Sequence, residues 1–145
     1  MTFRGEGEDK YLVFQLAKRQ FALEMNSIRR VVNADQIYGV PLAKKYYAGL
    51  MRFEGRAIPL FNLRAALGLK GKVKEEESLV AVEQMGDYEV GLLIGSVYSV
   101  ADLGEGTETD RDPEMVGVNK VVELDGKEIN VVDLGELLRD SGLEN

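Results

Sequence analysis

The sequence predicts a mainly β protein made of two small barrels, each of about five short strands, related by internal duplication and carrying short helices. Two observations lead there. Apolar runs rich in β-forming residues recur between turn signals. The order of these runs in the first half returns in the second half at a nearly constant offset.

Taken in order, Tyr11-Leu12-Val13-Phe14-Gln15-Leu16 is dense in β-formers, and an extended pattern resumes over 20–25 after the turn Ala17-Lys18-Arg19, which predicts a hairpin. A third extended run spans 28–32, and a fourth ends at Val40-Pro41, where proline cannot donate to a ladder. Leu42 to Tyr47 is read as one helical turn before Gly49. The runs Gly49–Phe53 and Arg56–Leu60 flank Glu54-Gly55, a two-residue hairpin turn in which glycine supplies a positive φ. Asn62 is a good N-cap for a short helix from Leu63 to Leu67, ended by Gly68. The charged stretch 70–77 then reads as a solvated linker.

After it the same grammar restarts. Phe21 to Val31 aligns with Val90 to Val100 at an offset of 69, and Gly55 to Leu63 aligns with Gly126 to Leu134 at an offset of 71. Two matches in the same order point to duplication, with Ile58 answering to Ile129 and Leu63 to Leu134. Strand exchange between the halves is compatible with this pattern. Two barrels side by side leave a groove between them.

Composition narrows the function. The chain of 145 residues has neither cysteine nor histidine, which excludes disulfides, thiolate chemistry, histidine-dependent triads and the usual zinc sites. Carboxylates, lysines and serines remain for acid–base work. The formal charge is −7, from 18 basic and 25 acidic residues, and the basic residues form no long cluster, so nucleic acid and anionic membranes are not expected partners. No run approaches the roughly 18 apolar residues of a membrane helix, and the N-terminal MTFRGEGEDK carries no apolar core of a secretory signal; a soluble protein is expected.

Several motif fragments carry no chemistry. Gly5-Glu6-Gly7 and Gly104-Glu105-Gly106 have acidic neighbours and do not join a strand to a helix, and Gly68-Leu69-Lys70-Gly71-Lys72 lacks the spacing of a P-loop. Asp110, Asp112 and Glu114 begin like a calcium loop, but Met115 and Val121 stand where glycine and glutamate are required. The segment 102–114, with six acidic residues against Arg111, reads as a solvated loop. Met51 and Phe53 alternate with Arg52 and Glu54, so one pair should face the barrel core and the other the outside. Ile28 and Val31 suit either a core or the apolar lining of a groove.

Tyr11-Leu12-Val13-Phe14, Phe21-Ala22-Leu23, Val40-Pro41, Gly49, Gly55-Arg56-Ala57-Ile58-Pro59-Leu60-Phe61-Asn62-Leu63 and Gly91-Leu92-Leu93-Ile94, in this order, resemble the CheW-like domain, the coupling module of chemotaxis arrays. The resemblance implies a single CheW-like domain over 10–139, with subdomain one at about 10–69, the linker at about 70–77 and subdomain two at about 78–139. It further implies five-stranded SH3-like barrels, no catalysis, no cofactor and no metal. The implied partners are the regulatory domain of a CheA-type histidine kinase and the cytoplasmic tip of a methyl-accepting chemoreceptor, or variants of these. The implied location is the cytoplasm, at receptor arrays on the inner membrane.

Three positions depart from the family pattern. Arg30 stands where relatives usually carry glutamate, Glu54 where they carry arginine, and Gly95 where they carry aspartate. The first two exchange sign at positions near the family's receptor-binding surface, which predicts altered partner specificity. The expected partner-binding residues are Ile28, Arg30, Val31, Gly49, Met51, Arg52, Glu54, Val97 and Val100. A non-catalytic adapter is the leading expectation. The alternative is a regulatory module that binds a small molecule in the groove between the barrels, and an enzyme using carboxylates ranks last.

Overall fold

A computed structural model of the chain describes residues 10–34, 37–38, 46–69, 79–96, 98–113 and 115–138. Its strands are β1 (Lys10–Leu16), β2 (Arg19–Glu24), β3 (Ile28–Asn33), β4 (Tyr47–Phe53), β5 (Arg56–Asn62), β6 (Leu79–Met85), β7 (Tyr88–Leu93), β8 (Tyr98–Asp102), β9 (Thr107–Thr109), β10 (Val118–Leu124) and β11 (Lys127–Val132). Two one-turn helices, α1 (Leu63–Ala66) and α2 (Leu134–Leu137), follow β5 and β11, and a 3-10 turn at Met25–Ser27 joins β2 to β3. Among the described residues no helix is long and apolar enough to cross a membrane.

The strands form a six-stranded sheet in the order β8-β1-β2-β11-β10-β9 and a five-stranded sheet in the order β3-β6-β7-β5-β4. Each sheet therefore draws on both sequence halves. The hairpin β1–β2 pairs with β8 and, in parallel, with β11, whereas β6–β7 pairs with β3 and, in parallel, with β5. The halves at about 10–69 and 78–139 have exchanged their first hairpins, so neither sheet is one contiguous segment.

The exchanged hairpins are the most deeply buried part of each sheet. Leu12, Phe14, Phe21 and Leu23 of the first and Ala81, Val90 and Leu92 of the second meet in a core shared by the two sheets. Their alternate residues point the other way, Tyr11, Val13 and Ala22 into the interior of the six-stranded sheet and Val80, Val82 and Leu93 into that of the five-stranded sheet. These strands are buried on both faces, which is why they read as unbroken apolar runs.

The duplication is visible in the pairing. Leu60 lies opposite Gly91 and Val131 opposite Ala22, positions related by the offsets 71 and 69. β4 and β10 each carry an irregularity at equivalent places, between Tyr47 and Gly49 and between Val118 and Lys120. Asn62 and Asp133 each cap the following turn, accepting from the backbone N–H of Ala65 at 3.2 Å and of Glu136 at 3.1 Å. The sixth strand, β9, pairs with β10 through Thr109 and Val121, and among the described residues the equivalent contact in the first half is one bridge, Tyr38 to Leu50.

Two local expectations change. Tyr47 is the first residue of a strand instead of the end of a helical turn, its ring packed against Phe61 at 4.6 Å between centroids. The acidic segment is not one loop, since Asp102 closes β8 and Thr107–Thr109 forms β9. Val40-Pro41, the linker 70–77 and Glu114 lie outside the described residues.

Candidate partner-binding rim

β3 and β4 are the two ends of the five-stranded sheet, and the rim where they approach is built from charged side chains. Alternation along a strand would send Arg29 and Arg30 to opposite faces. The ladder with β6 shifts between Ile28 and Arg30, however, and this bulge lets both arginines reach Glu54. Glu54 sits at the turn between β4 and β5 with φ 52°, followed by Gly55 with φ 80°, the two positive angles of a type I′ hairpin. Below the turn Met51 and Phe53 are buried in the sheet's interior, and Arg52 and Glu54 are exposed, as the alternation predicts.

Arg30 and Glu54 approach to 3.7 Å, and Arg29 and Arg56 reach Glu54 at the same distance. These separations are Coulombic contacts and too long for hydrogen bonds. A second carboxylate anchors the cluster from within: Glu89 of β7, 8 % exposed, accepts hydrogen bonds from both Arg29 and Arg56. The Arg29 bond, then the Arg56 bond, hold the Glu89 carboxyl below the usual carboxylate range, and Glu89 in turn holds the Arg29 guanidinium above its ordinary value. Arg29 also lies over the Phe53 ring, 6.0 Å from its centroid. Arg30 and Glu54 are thus part of a five-residue network.

Arg29, Arg56 and Glu89 were not among the expected site residues. Glu89 is ordinary in sequence, a lone acid in an extended run, and only the fold brings the Arg29 side chain from β3 and the Arg56 side chain from β5 onto it. A double arginine at the start of a strand is the one signal that hints at a bulge.

Beside the network a surface groove is lined by Arg30, Val32, Tyr38, Met51, Arg52 and Glu54. Four expected residues, Arg30, Met51, Arg52 and Glu54, meet here. Met51 is 3 % exposed and contributes only the groove's floor. Gly49 is buried beneath it, with φ 138°, and a Cβ there would lie 2.3 Å from the Tyr38 carbonyl oxygen. Its part is to let the segment carrying Tyr38 lie against β4.

The remaining expected residues lie elsewhere. Ile28 and Val31 are half-buried and pack against the core shared by the sheets. Val100, 53 % exposed, stands on β8 of the other sheet opposite Leu12, beside exposed Tyr98. Val31 and Val100 occupy equivalent places in the two copies, each on the strand that flanks an exchanged hairpin. Val97 lies outside the described residues. Gly95 has φ 98°, and a Cβ there would lie 2.9 Å from the Gln15 carbonyl oxygen, so the glycine is explained by close packing against β1.

A second polar feature lies where the sheets meet. Glu83 on β6 is buried, 5 % exposed, and one of its side-chain oxygens, Oε2, accepts a 2.6 Å hydrogen bond from the Ser27 hydroxyl. Burial pushes its carboxyl above the usual range, the Ser27 bond partly opposes this, and neighbouring Glu24 adds to the rise.

Comparison with known proteins agrees with the fold. The chain is 25 % identical over 141 residues to the chemotaxis protein CheW of Thermotoga maritima, an alignment covering 92 % of this chain and 89 % of that protein. It is 22 % identical over 144 residues to the chemotaxis protein CheW of Bacillus subtilis, covering 95 % and 92 %. The crystal structure of the scaffolding protein TtCheW from Thermoanaerobacter tengcongensis superposes with a TM-score of 0.80 at 22 % identity, over 90 % of this chain and 88 % of that one. The model of the CheW-like domain matches residues 10–142, and with the paired barrels and the order of motifs in agreement, the chain belongs to the CheW-like domain family.

Proposed function

We propose that the protein is a non-catalytic adapter in chemotaxis-like signalling, coupling a chemoreceptor tip to the regulatory domain of a CheA-type histidine kinase, with partner choice set by the charged rim of the five-stranded sheet. The family match over 10–142 carries the adapter role. The specificity rests on the network of Arg29, Arg30, Glu54, Arg56 and Glu89, which places exposed charges of defined sign beside an amphipathic groove.

Exposed ion pairs contribute only about 0.2–1 kcal/mol to folding, whereas like charges meeting across an interface cost several kcal/mol. The sign at Arg30 and Glu54 therefore matters more for choosing partners than for holding the barrel. Binding of the purified chain to a kinase regulatory domain and a receptor-tip fragment, encoded beside it in the source genome, tests the adapter role. Saturable binding to either supports it, and binding to neither refutes it. The double exchange Arg30→Glu with Glu54→Arg should lose affinity for these native partners and gain it for those of an ordinary CheW. Equal binding of wild type and double variant to both sets would remove the rim from specificity.

A further inference from the structure

We propose that the cleft where the two sheets meet is a binding site for an alkyl cation, an ammonium or guanidinium group on a short apolar stem, with Glu83 as its anchor. The cleft, about 420 Å³, is lined from the six-stranded sheet by Tyr11, Leu23, Glu24 and Val131 and from the five-stranded sheet by Glu83. Glu24, Glu108, Asp133 and Glu83 bring four carboxylates to it, against the ammonium of Lys120. Asp133 is engaged in capping α2. Glu83 is the distinctive member: while Oε2 takes the Ser27 bond, Oε1 is buried without a hydrogen-bond partner among the described residues.

A buried carboxylate oxygen without a donor is costly, and the fold does not require one here. Through the offset of 69 the equivalent of Glu83 is Phe14, 1 % exposed in the shared core; each lies opposite the first residue of its flanking strand, Ile28 for Glu83 and Tyr98 for Phe14. One copy of the duplicated frame is thus satisfied by a phenyl ring, and the other holds an acid. A cation with N–H donors supplies both the missing hydrogen bond and the opposite charge, and Tyr11, Leu23 and Val131 offer apolar wall to its stem. A metal ion is a poorer fit, because no three acidic side chains among the described residues converge closely enough to hold one.

The site does not depend on the adapter role. The cation can come from a lysine or arginine of a bound protein or from a free alkylamine, and one titration separates these. The full chain, with 13C-labelled glutamate carboxyls, is titrated with n-butylammonium and n-butylguanidinium while the Glu83 Cδ shift is followed. A saturable shift at Glu83, with concerted amide shifts at Ser27, Lys120 and Gly135, is expected. Glu83→Gln, which keeps the shape and the bond with Ser27, should weaken binding at least about tenfold. Displacement of the butyl cation by a CheA-type kinase regulatory domain or a receptor-tip fragment would assign the site to a partner's side chain, and simultaneous binding would assign it to a free amine. The proposal is overturned if neither cation moves the Glu83 resonance, if Glu83 titrates without responding to them, or if the shifts spread without saturation over the acidic residues 102–112.

Discussion

The duplicated frame closes its two barrels with the same backbone and different chemistry. At the rim of the five-stranded sheet stand Arg30, Glu54, Arg56 and Glu89; the offsets place Ser99, Asp125, Lys127 and Gln20 at the matching positions of the six-stranded sheet. The turns themselves agree, since Glu54 and Asp125 have φ of 52° and 55° and are followed by Gly55 and Gly126 at 80° and 81°. The strands forming these hairpins pair in matching register, Met51 with Ile58 and Val122 with Ile129. A barrel of this kind therefore closes without three arginines gathered on two carboxylates, and the full charge network is an addition made in one copy. The pair Glu83 and Phe14 teaches the same lesson in the core.

The largest effect should come from that core pair. Phe14→Ala removes a ring that packs against Phe21 at 6.2 Å and should cost about 3–5 kcal/mol in urea unfolding. Glu83→Leu, which puts an apolar group in its place, should be neutral or stabilising by about 1 kcal/mol, because it removes an unsatisfied oxygen along with its charge. Equal losses at the two sites would mean that the copies use these positions alike.

Next in size is the irregular position shared by β4 and β10. Gly49→Ala forces a Cβ onto the Tyr38 carbonyl at a backbone angle that side chains rarely adopt, and should cost about 1–3 kcal/mol. Lys120→Ala at the equivalent place should change stability by only about 0.5 kcal/mol. Denaturation midpoints with unchanged slopes would show both differences.

The rim should respond asymmetrically. Glu54 faces three arginines and Arg30 faces one carboxylate, so Glu54→Arg should destabilise more than Arg30→Glu, whose effect should stay within about 1 kcal/mol. Added salt should shrink both. Equal losses would return the pair to isolated surface residues.

At any single pH the subtlest contrast is between two glutamates that run in opposite senses. Glu89, held low by its arginines, remains charged in the native protein after the unfolded chain has taken up its proton, so stability present above the ordinary range, about 4.3, falls as pH drops toward the native value. Glu83, held high by burial, keeps its proton natively after the unfolded chain has lost it, so its contribution falls as pH rises from the ordinary range through the raised value. Urea unfolding across this interval should show Glu89→Gln flattening the acid limb and Glu83→Gln flattening the decline above it. Superimposable curves for all three proteins would show that neither carboxyl is coupled to folding.

What was local was legible in the sequence. The hairpin turn at Glu54-Gly55, the caps Asn62 and Asp133, the inward facing of Met51 and Phe53 and the offsets of 69 and 71 each depend on neighbouring residues or on like following like. That Arg30 and Glu54 belong to one surface was legible too, through family likeness. What only the tertiary structure decided depends on segments far apart in the chain. The exchange of first hairpins is settled by pairings such as Gln20 with Ile129, reinforced by the Asn130 amide donating to the Gln20 carbonyl across 110 positions, and an apolar strand reads the same whichever sheet it joins. The burial of Glu89 and Glu83, and the bulge that turns Arg29 to the same rim as Arg30, arise because strands from both halves converge on them. A carboxylate's chemistry is set by the donors and the water around it, and those are supplied by the fold.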